Sequence, residues 1–366
     1  MSKRYALLGQ VVLGDRVIKD GAVVVDGSTI ANVGSRTEID LPETVIDCGD
    51  RLVMAGFIDI HCHAGSAYES HLEPAPFAAY HLKHGTTGLL GTIYRNVSHE
   101  DTMKAYEMIK SVMETQKNLL GVHMEGPYLN PQYGASQCGL RDRVRSEYME
   151  MIESGLIKQM TLAPEVEGTE DVLRELVKAG IAPAIGHSAA SPEQVKDAHD
   201  AGARIVTHLF DATGCSIEPT RCGGTKEVNF DQAAMLCDHF YYELIVDSMG
   251  IHVRPDMVRL AAKTVGVDRL VAITDCCTGS EDDSDLNMYN GELHGSKLTM
   301  NYVARNLSAL GFSLPQITKM TAENPARAIR VFDEMGSLAV GKLANIVVCD
   351  DNFKELEVYL HGEKVD

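Results

Sequence analysis

The amino-acid sequence predicts an α/β protein: a parallel (β/α)8 TIM barrel with a small β-sandwich domain formed by both chain ends. Between residues 56 and 335, eight short apolar runs alternate with longer helix-like stretches, the pattern of a parallel barrel. Residues 1–55 and 336–366 instead show short β segments separated by Gly and Asp turns. We therefore expect one barrel over 56–335 and one small β domain that both ends build together.

The elements follow in order along the chain. The N-terminal segment predicts strands at 7–13, 22–25, 29–33 and 44–47. The eight barrel strands are predicted in FIDIHCH at 57, TTGLLGTI at 86, LLGVHMEG at 119, QMTLAPE at 159, APAIGH at 182, RIVTHLF at 204, YELIVD at 242 and LVAITD at 270. Between them, helices are predicted at 101–115, 170–179, 192–201 and 255–265, several of which begin after Ser, Asp or Pro signals. After Gly336, ANIVVCD and EVYLHGEKV predict the last strands of the small domain.

Composition narrows the class of protein. The 366 residues are 45% hydrophobic and carry 33 basic against 52 acidic side chains, for a net charge of -19, so a nucleic acid or an anionic membrane would be repelled. No segment approaches the run of about 20 apolar residues that spans a bilayer, and the start lacks a signal-peptide pattern. Nine cysteines without a C-x-x-C pair argue against a disulfide framework and a zinc ribbon. We expect a soluble, cytoplasmic protein with reduced thiols.

Ligand-type side chains recur at the ends of the predicted barrel strands, where active sites of such barrels lie. Because side chains alternate along a strand, two histidines two residues apart point to the same side and the cysteine between them points away. A single histidine of this kind is more often a hydrogen-bonded core residue, but six such residues at strand ends favour a metal site, with N and O ligands suited to Zn or Fe. The six are His61, His63, Glu125, His187, His208 and Asp275.

Two further side chains near these ends are interpreted differently. His123 also faces the barrel interior, and we expect a satisfied core imidazole there. Cys277 lies two residues after Asp275, so its side chain could face the same site. A nucleophilic thiol, however, needs a nearby base that the sequence does not identify.

Several motifs, in order over nearly the whole chain, resemble the N-acetylglucosamine-6-phosphate deacetylase family of the amidohydrolase superfamily. The HxH of MAGFIDIHCHAG and the Asp of ITD are shared by the whole superfamily, whereas HMEGPYLNP, THLFDAT and GSKLTM are specific to the deacetylases. The segments TLAPE, IGHSAA, GIHV and ENPARAI also match. The resemblance implies hydrolysis of an N-acetyl amide in N-acetylglucosamine 6-phosphate or a related N-acetylhexosamine.

The resemblance also implies roles for the strand-end residues. Glu125, His187 and His208 would bind the main divalent ion, and His61 with His63 would bind a second ion that Glu125 bridges. Asp275 would be the catalytic acid and base. One or two ions per chain and a homodimer are expected by the same likeness.

Substrate contacts are implied at Ala135, Ser136, Asp211, Ala212, Arg221 and His252. Three positions depart from the family pattern: Asp211 replaces an Asn that helps to hold the sugar phosphate, and Tyr133 and Ser136 replace the Lys and the His or Gln of its KGAH or KGAQ loop. A carboxylate beside a phosphate dianion costs about 1 to 4 kcal/mol in a sheltered pocket, unless Arg221 or Lys226 supplies a cation. A non-phosphorylated N-acyl substrate is therefore the alternative.

Two other functions are less compatible with the residues. A dihydroorotase-type enzyme would bridge its metals with a modified lysine at the end of the fourth barrel strand, and QMTLAPE has no lysine. A noncatalytic binding protein with this fold would be expected to have lost ligands or the catalytic acid, and all six are present. Stoichiometric Zn or Fe would separate the enzyme from the binding protein.

Overall fold

The computed structural model of the protein describes residues 4–134, 142–279, 282–289 and 291–366. Nineteen strands are found within these ranges: β1 (Arg4–Val12), β2 (Val17–Asp26), β3 (Thr29–Ser35), β4 (Val45–Ala55), β5 (Phe57–Asp59), β6 (Ala64–Gly65), β7 (Tyr68–Glu69), β8 (Thr86–Ile93), β9 (Leu119–Glu125), β10 (Ile157–Leu162), β11 (Ala182–Ile185), β12 (Ile205–Val206), β13 (Tyr241–Ile245), β14 (Leu270–Ile273), β15 (Leu286–Tyr289), β16 (Glu292–Ser296), β17 (Ile346–Cys349), β18 (Glu357–Leu360) and β19 (Glu363–Lys364).

Ten α-helices lie between or after these strands. They are α1 (Pro74–Lys83), α2 (His99–Met113), α3 (Arg145–Glu153), α4 (Thr169–Lys178), α5 (Pro192–Asp200), α6 (Phe230–Met235), α7 (Pro255–Val265), α8 (Met300–Ala309), α9 (Leu314–Thr318) and α10 (Asn324–Ala328) within the described ranges. The four predicted helices are confirmed as α2, α4, α5 and α7. In α5 the start signal works as expected, because Ser191 and Gln194 exchange side-chain and backbone hydrogen bonds in a capping box. No described helix is both long and apolar enough to cross a membrane.

Eight parallel strands form the barrel in the order β5, β8, β9, β10, β11, β12, β13, β14, each beside its neighbour in the sequence. These are the eight predicted strands. The seam between the first and last strands is bridged just beyond their ends, where the Asp275 N–H donates to the His61 carbonyl at 2.9 Å and the Ala64 N–H donates to the Cys276 carbonyl at 2.7 Å. All carboxyl ends of the strands therefore meet at one mouth.

The barrel strands are buried among apolar side chains. Every residue of β8 and β13 is buried, as expected for parallel strands covered on both faces. Helices α1 and α2 pack against β8 and β9 through buried residues such as Phe77, Tyr106 and Ile109. The barrel core is thus a rigid support for the side chains at its mouth.

The small β domain is built by both chain ends, as predicted. Its seven strands form one sheet in the order β19, β18, β17, β4, β1, β2, β3. The sheet contributes to a buried apolar cluster that includes Leu7, Val23 and Val348. A 2.8 Å hydrogen bond from the Ile30 N–H to the Lys342 carbonyl connects its edge strand β3 to the segment before β17. The described strands of this domain, expected to form a sandwich, thus belong to one continuous sheet.

An antiparallel hairpin of β15 and β16, which sequence patterning missed, follows the last barrel strand. Asn287 of β15 donates to the Thr278 carbonyl at 3.0 Å, which holds the hairpin to the segment after the last barrel strand, and to the His294 carbonyl of β16 at 2.9 Å, which ties the two hairpin strands together. Its strands have four and five residues, too short for a clear alternation of apolar and polar side chains. The hairpin places three residues beside the site described next.

Candidate metal and active site

The carboxylate of Glu125, the last residue of β9, lies at the centre of a group of buried imidazoles. Its two oxygens lie within 3.3 Å of four imidazole nitrogens. The Nε2 atoms of His187, His208 and His61 lie 2.9, 3.3 and 3.3 Å from Glu125 Oε1, and His63 Nε2 lies 3.2 Å from Oε2. The structure therefore brings together five of the six strand-end residues around one carboxylate.

Asp275, which follows β14, completes the group on the side of the His-x-His segment. Its Oδ1 lies 3.4 Å from His61 Nε2 and 3.3 Å from His63 Nε2, so both imidazoles point to the same side. The thiol of Cys62 points the other way and lies 3.2 Å from His81 Nε2 on α1. The predicted alternation along this segment is confirmed.

Three of the strand-end residues have a positive φ, which is uncommon for a residue with a side chain. The φ angles are 48° at His187, 26° at His208 and 46° at Asp275. Such conformations persist where the surroundings hold them, and they cluster at functional sites. Each of the three turns its side chain from the end of a strand into the barrel mouth.

Charges within the group shift the proton equilibria of its members. Burial works against ionisation, but the nearby His61 and His187 imidazoles hold the pKa of Glu125 well below its usual range. For Asp275 the His61 and His63 imidazoles likewise overcome burial and lower the pKa of the carboxyl. Burial lowers the pKa of His208, but its hydrogen bond to Glu125 and the negative charges of Asp211 and Glu125 together more than offset this and raise it to about 9. Both carboxyl groups are thus held ionised beside imidazoles that attract protons or cations.

The side chains fit a divalent cation. Two sets of donor atoms, each within 4.8 Å of one another, are His61, His63 and Asp275, and Glu125, His187 and His208. The Nε2 atoms of His187 and His208 lie 3.0 Å apart, close to the separation of about 3.3 Å between two nitrogens on one tetrahedral zinc. Buried His61 Nε2 has no hydrogen-bond partner in the described part of the chain. A cation would satisfy these nitrogens better than shared protons.

Backbone carbonyls orient two of the imidazoles. The His187 Nδ1–H donates to the Tyr133 carbonyl at 3.1 Å, and the His208 Nδ1–H donates to the Asp211 carbonyl at 3.1 Å. An imidazole that donates from Nδ1 leaves the lone pair of Nε2 free to bind a metal.

A pocket of about 510 Å³ opens onto this group. Asp211 and Ala212, two predicted substrate contacts, line it together with Arg95. On another wall, the Tyr94 ring stacks on His63 with ring centres 3.9 Å apart, and His294 of the β15–β16 hairpin stacks on Tyr94 at 5.8 Å. The pocket therefore combines an acidic group, a guanidinium and an aromatic wall.

The other predicted substrate contacts are placed differently. The Arg221 side chain is 75% exposed, forms an ion pair of 2.6 Å with Glu227 and does not line the pocket. The His252 ring lies behind the pocket wall, where Nδ1 donates to Asp247 at 3.2 Å and Nε2 lies 3.0 Å from the Gly295 carbonyl. Ala135 and Ser136 lie outside the described residues. The geometry therefore does not support Arg221 as the cation that binds a substrate phosphate within one chain, because its guanidinium is paired with Glu227.

The structure agrees with the interpretation of His123 as a core imidazole and with the low expectation of a nucleophilic thiol at Cys277. The His123 ring lies in the barrel interior between two hydroxyls, 3.2 Å from Thr92 Oγ1 and 2.8 Å from Thr161 Oγ1, so it is a satisfied core imidazole. Cys277 lines the pocket, but burial and the charge of Asp275 raise the pKa of its thiol well above the usual value. A thiolate nucleophile is disfavoured there.

Sequence reasoning missed Tyr94, Arg95 and Glu243. Tyr94 and Arg95 directly follow β8, so the rule that singled out the other strand ends applied to them as well. Glu243 lies inside β13 and is fully buried, and its Oε2 is 3.1 Å from His61 Nδ1. A carboxylate within an apolar strand was the available signal.

Comparison with known proteins gives a consistent result. The chain is 29% identical to N-acetylglucosamine-6-phosphate deacetylase of Bacillus subtilis, with 96% of this chain and 94% of that protein covered, and 27% identical to N-acetylgalactosamine-6-phosphate deacetylase of Shewanella sp., with 94% and 90% covered. Its fold matches the crystal structure of N-acetylglucosamine-6-phosphate deacetylase from Pasteurella multocida with a TM-score of 0.87 and 26% identity, over 99% of this chain and all of that one. Since the sequence profile of the amidohydrolase family also matches residues 52–365, the chain belongs to the amidohydrolase family.

Proposed function

We propose that this protein is a metal-dependent deacetylase that hydrolyses the N-acetyl amide of an amino sugar, with N-acetylglucosamine 6-phosphate as the first candidate substrate. The proposal depends on one observation, that two clusters of metal-type donors meet at the barrel mouth, beside a pocket of about 510 Å³. We call them the two metal-type clusters: His61, His63 and Asp275 form one, and Glu125, His187 and His208 form the other. The names of the similar proteins support the choice of an N-acetylhexosamine 6-phosphate.

In this proposal Glu125, His187 and His208 hold the main ion, while His61 and His63 hold a second one that Glu125 bridges. Zinc or iron suits their nitrogen and oxygen donors. When bound, such a cation activates water and polarises the amide carbonyl. The protein's contribution is to fix the imidazoles, as the carbonyls of Tyr133 and Asp211 do for two of them.

Asp275 is the proposed acid and base. Its Oδ1 lies 3.4 Å from His61 Nε2 and 3.3 Å from His63 Nε2, and an ionised carboxylate at this place can accept the proton of the attacking water. The same carboxyl then delivers that proton to the nitrogen of the departing amine. One residue at the seam of the barrel would therefore serve both steps.

A non-phosphorylated N-acyl compound is the second candidate substrate, and one residue of the pocket supports it. Asp211 lines the pocket, and a negative charge there opposes a phosphate dianion. Arg95 is the one lysine or arginine among the described residues that line the pocket, whereas Arg221 is paired with Glu227 outside it. A phosphorylated substrate would therefore depend on Arg95, or on a cation from a second subunit of the proposed homodimer. The cytoplasm is the proposed location.

A parallel assay tests the proposal. Acetate release would be measured from N-acetylglucosamine, N-acetylgalactosamine, their 6-phosphates and a few N-acetylated amino acids. We expect hydrolysis of a hexosamine derivative that stops after chelation and returns when Zn or Fe is added back. Preference for a non-phosphorylated compound would select the second candidate. Failure of the metal-loaded protein to hydrolyse any of these compounds would refute a deacetylase function.

A further inference from the structure

Glu243 is a buried carboxylate in the middle of the barrel that belongs to neither metal-type cluster. We propose that it is a positioning residue that orients one histidine in each cluster, His61 through its side chain and His208 through its backbone. The inference rests on the proposed function in one respect, that the clusters bind a divalent cation.

The first contact determines how His61 faces the site. Its Nδ1 lies 3.1 Å from Glu243 Oε2, and a carboxylate can only accept a hydrogen bond, so Nδ1 carries the proton. The opposite nitrogen, Nε2, then presents its lone pair 3.3 Å from Glu125 and 3.4 Å from Asp275. Without the carboxylate either nitrogen of the ring could carry the proton. Glu243 thereby selects the tautomer that can bind a metal.

The second contact restrains the backbone of the other cluster. The His208 N–H donates to the same Glu243 Oε2 at 3.4 Å, and the Leu209 N–H donates to the Glu243 backbone carbonyl at 2.8 Å. His208 has a φ of 26°, a conformation that its surroundings must hold. One residue of β13 therefore links the imidazole of one cluster to the strained turn of the other.

The other carboxylate oxygen of Glu243 also has a hydrogen-bond partner. Its Oε1 accepts a hydrogen bond of 2.5 Å from Gln159 Nε2. Its described contacts thus come from an imidazole, an amide and a backbone N–H, none of which has the fixed charge of Lys or Arg. A carboxylate behind a metal-binding histidine raises the basicity of that ligand, and loss of such a partner typically costs 10- to 100-fold in metal affinity.

The test is zinc affinity, measured by competition with a chelator on protein that has been stripped and reloaded. Glu243→Leu, which removes the acceptor, should bind zinc about a hundredfold more weakly, and Glu243→Gln, which keeps an acceptor oxygen without the charge, about tenfold more weakly. Gln159→Leu is the matched control because it removes a buried partner of Glu243 and leaves the bond to His61. Its affinity should stay within about threefold of the native value.

Thermal unfolding of the metal-free proteins separates positioning from packing. A positioning role predicts that both Glu243 variants lose affinity while their metal-free unfolding temperatures stay near that of Gln159→Leu. Native zinc affinity in Glu243→Leu would overturn the inference, as would equal losses of affinity and unfolding temperature in all three variants. If Glu243→Leu does not fold, the isosteric Glu243→Gln decides, and native affinity in it overturns the inference. A native protein that takes up no metal would instead refute the proposed function.

Discussion

Substitution of Gly134 by alanine should disable the main metal cluster without contacting the metal. A Cβ at this position would lie 2.7 Å from both Cε1 and Nδ1 of His187. Carbon atoms pack at about 3.5 to 4.0 Å, so the imidazole must move by about 1 Å or the segment that carries Tyr133 must shift. Either movement breaks the hydrogen bond from His187 Nδ1 to the Tyr133 carbonyl.

The expected effect follows from the size of that displacement. A misplacement of about 1 Å in a reacting group costs on the order of a hundredfold in rate, and we expect kcat to fall by about that much together with the bound main ion. The φ of Gly134 is +96°, so alanine also adds backbone strain of about 1 to 2 kcal/mol that acts on folding.

Gly180→Ala is the matched control for that strain. Gly180 has a φ of +77° and its added Cβ would meet no atom within 4 Å, so this variant has a similar backbone cost without the contact to His187. The assay compares acetate release, metal content and thermal unfolding of the two variants. Both should lose stability, but only Gly134→Ala should lose metal and turnover. Native metal content and kcat in Gly134→Ala would refute the reasoning.

Four further outcomes are expected. Asp275→Asn should lower kcat at least about a hundredfold while metal content is retained, because proton transfer is lost; near-normal turnover would contradict this role. His187→Ala should remove the main ion and activity together, whereas His63→Ala should affect a second ion, and equal metal loss from both would indicate one shared site. Asp211→Asn should raise kcat/KM for a 6-phosphate substrate by roughly tenfold, and no change would show that the carboxylate does not repel phosphate. Because the pKa of His208 is raised to about 9, its imidazole is protonated at pH 7 in the metal-free protein, so zinc uptake should release protons at that pH. The proton released from His208 should no longer be seen above pH 9. A pH indicator in weak buffer measures the release, and zinc uptake without it would contradict the prediction.

Much of the fold could be predicted from the sequence because its signals are local. The eight barrel strands are short and largely apolar segments, as expected for parallel strands that are buried on both faces. The alternation of side chains along a strand is a property of the backbone, so the common direction of His61 and His63, and the opposite direction of Cys62, followed from their spacing alone. Once a barrel was predicted, the strand ends had to meet at one mouth.

The contacts between these strand ends were decided only by the tertiary structure. Glu243 comes from the seventh barrel strand and meets His61 from the first because the barrel closes, a relation between residues 182 positions apart that no local pattern encodes. Arg221 lies in a loop whose path the sequence does not specify, and there its guanidinium pairs with Glu227 instead of lining the pocket. The sequence by itself thus determined which residue types reach the mouth, since strand spacing and strand ends are set by backbone geometry. The tertiary structure decided their partners, since distances between strands and loop paths depend on how the whole barrel packs.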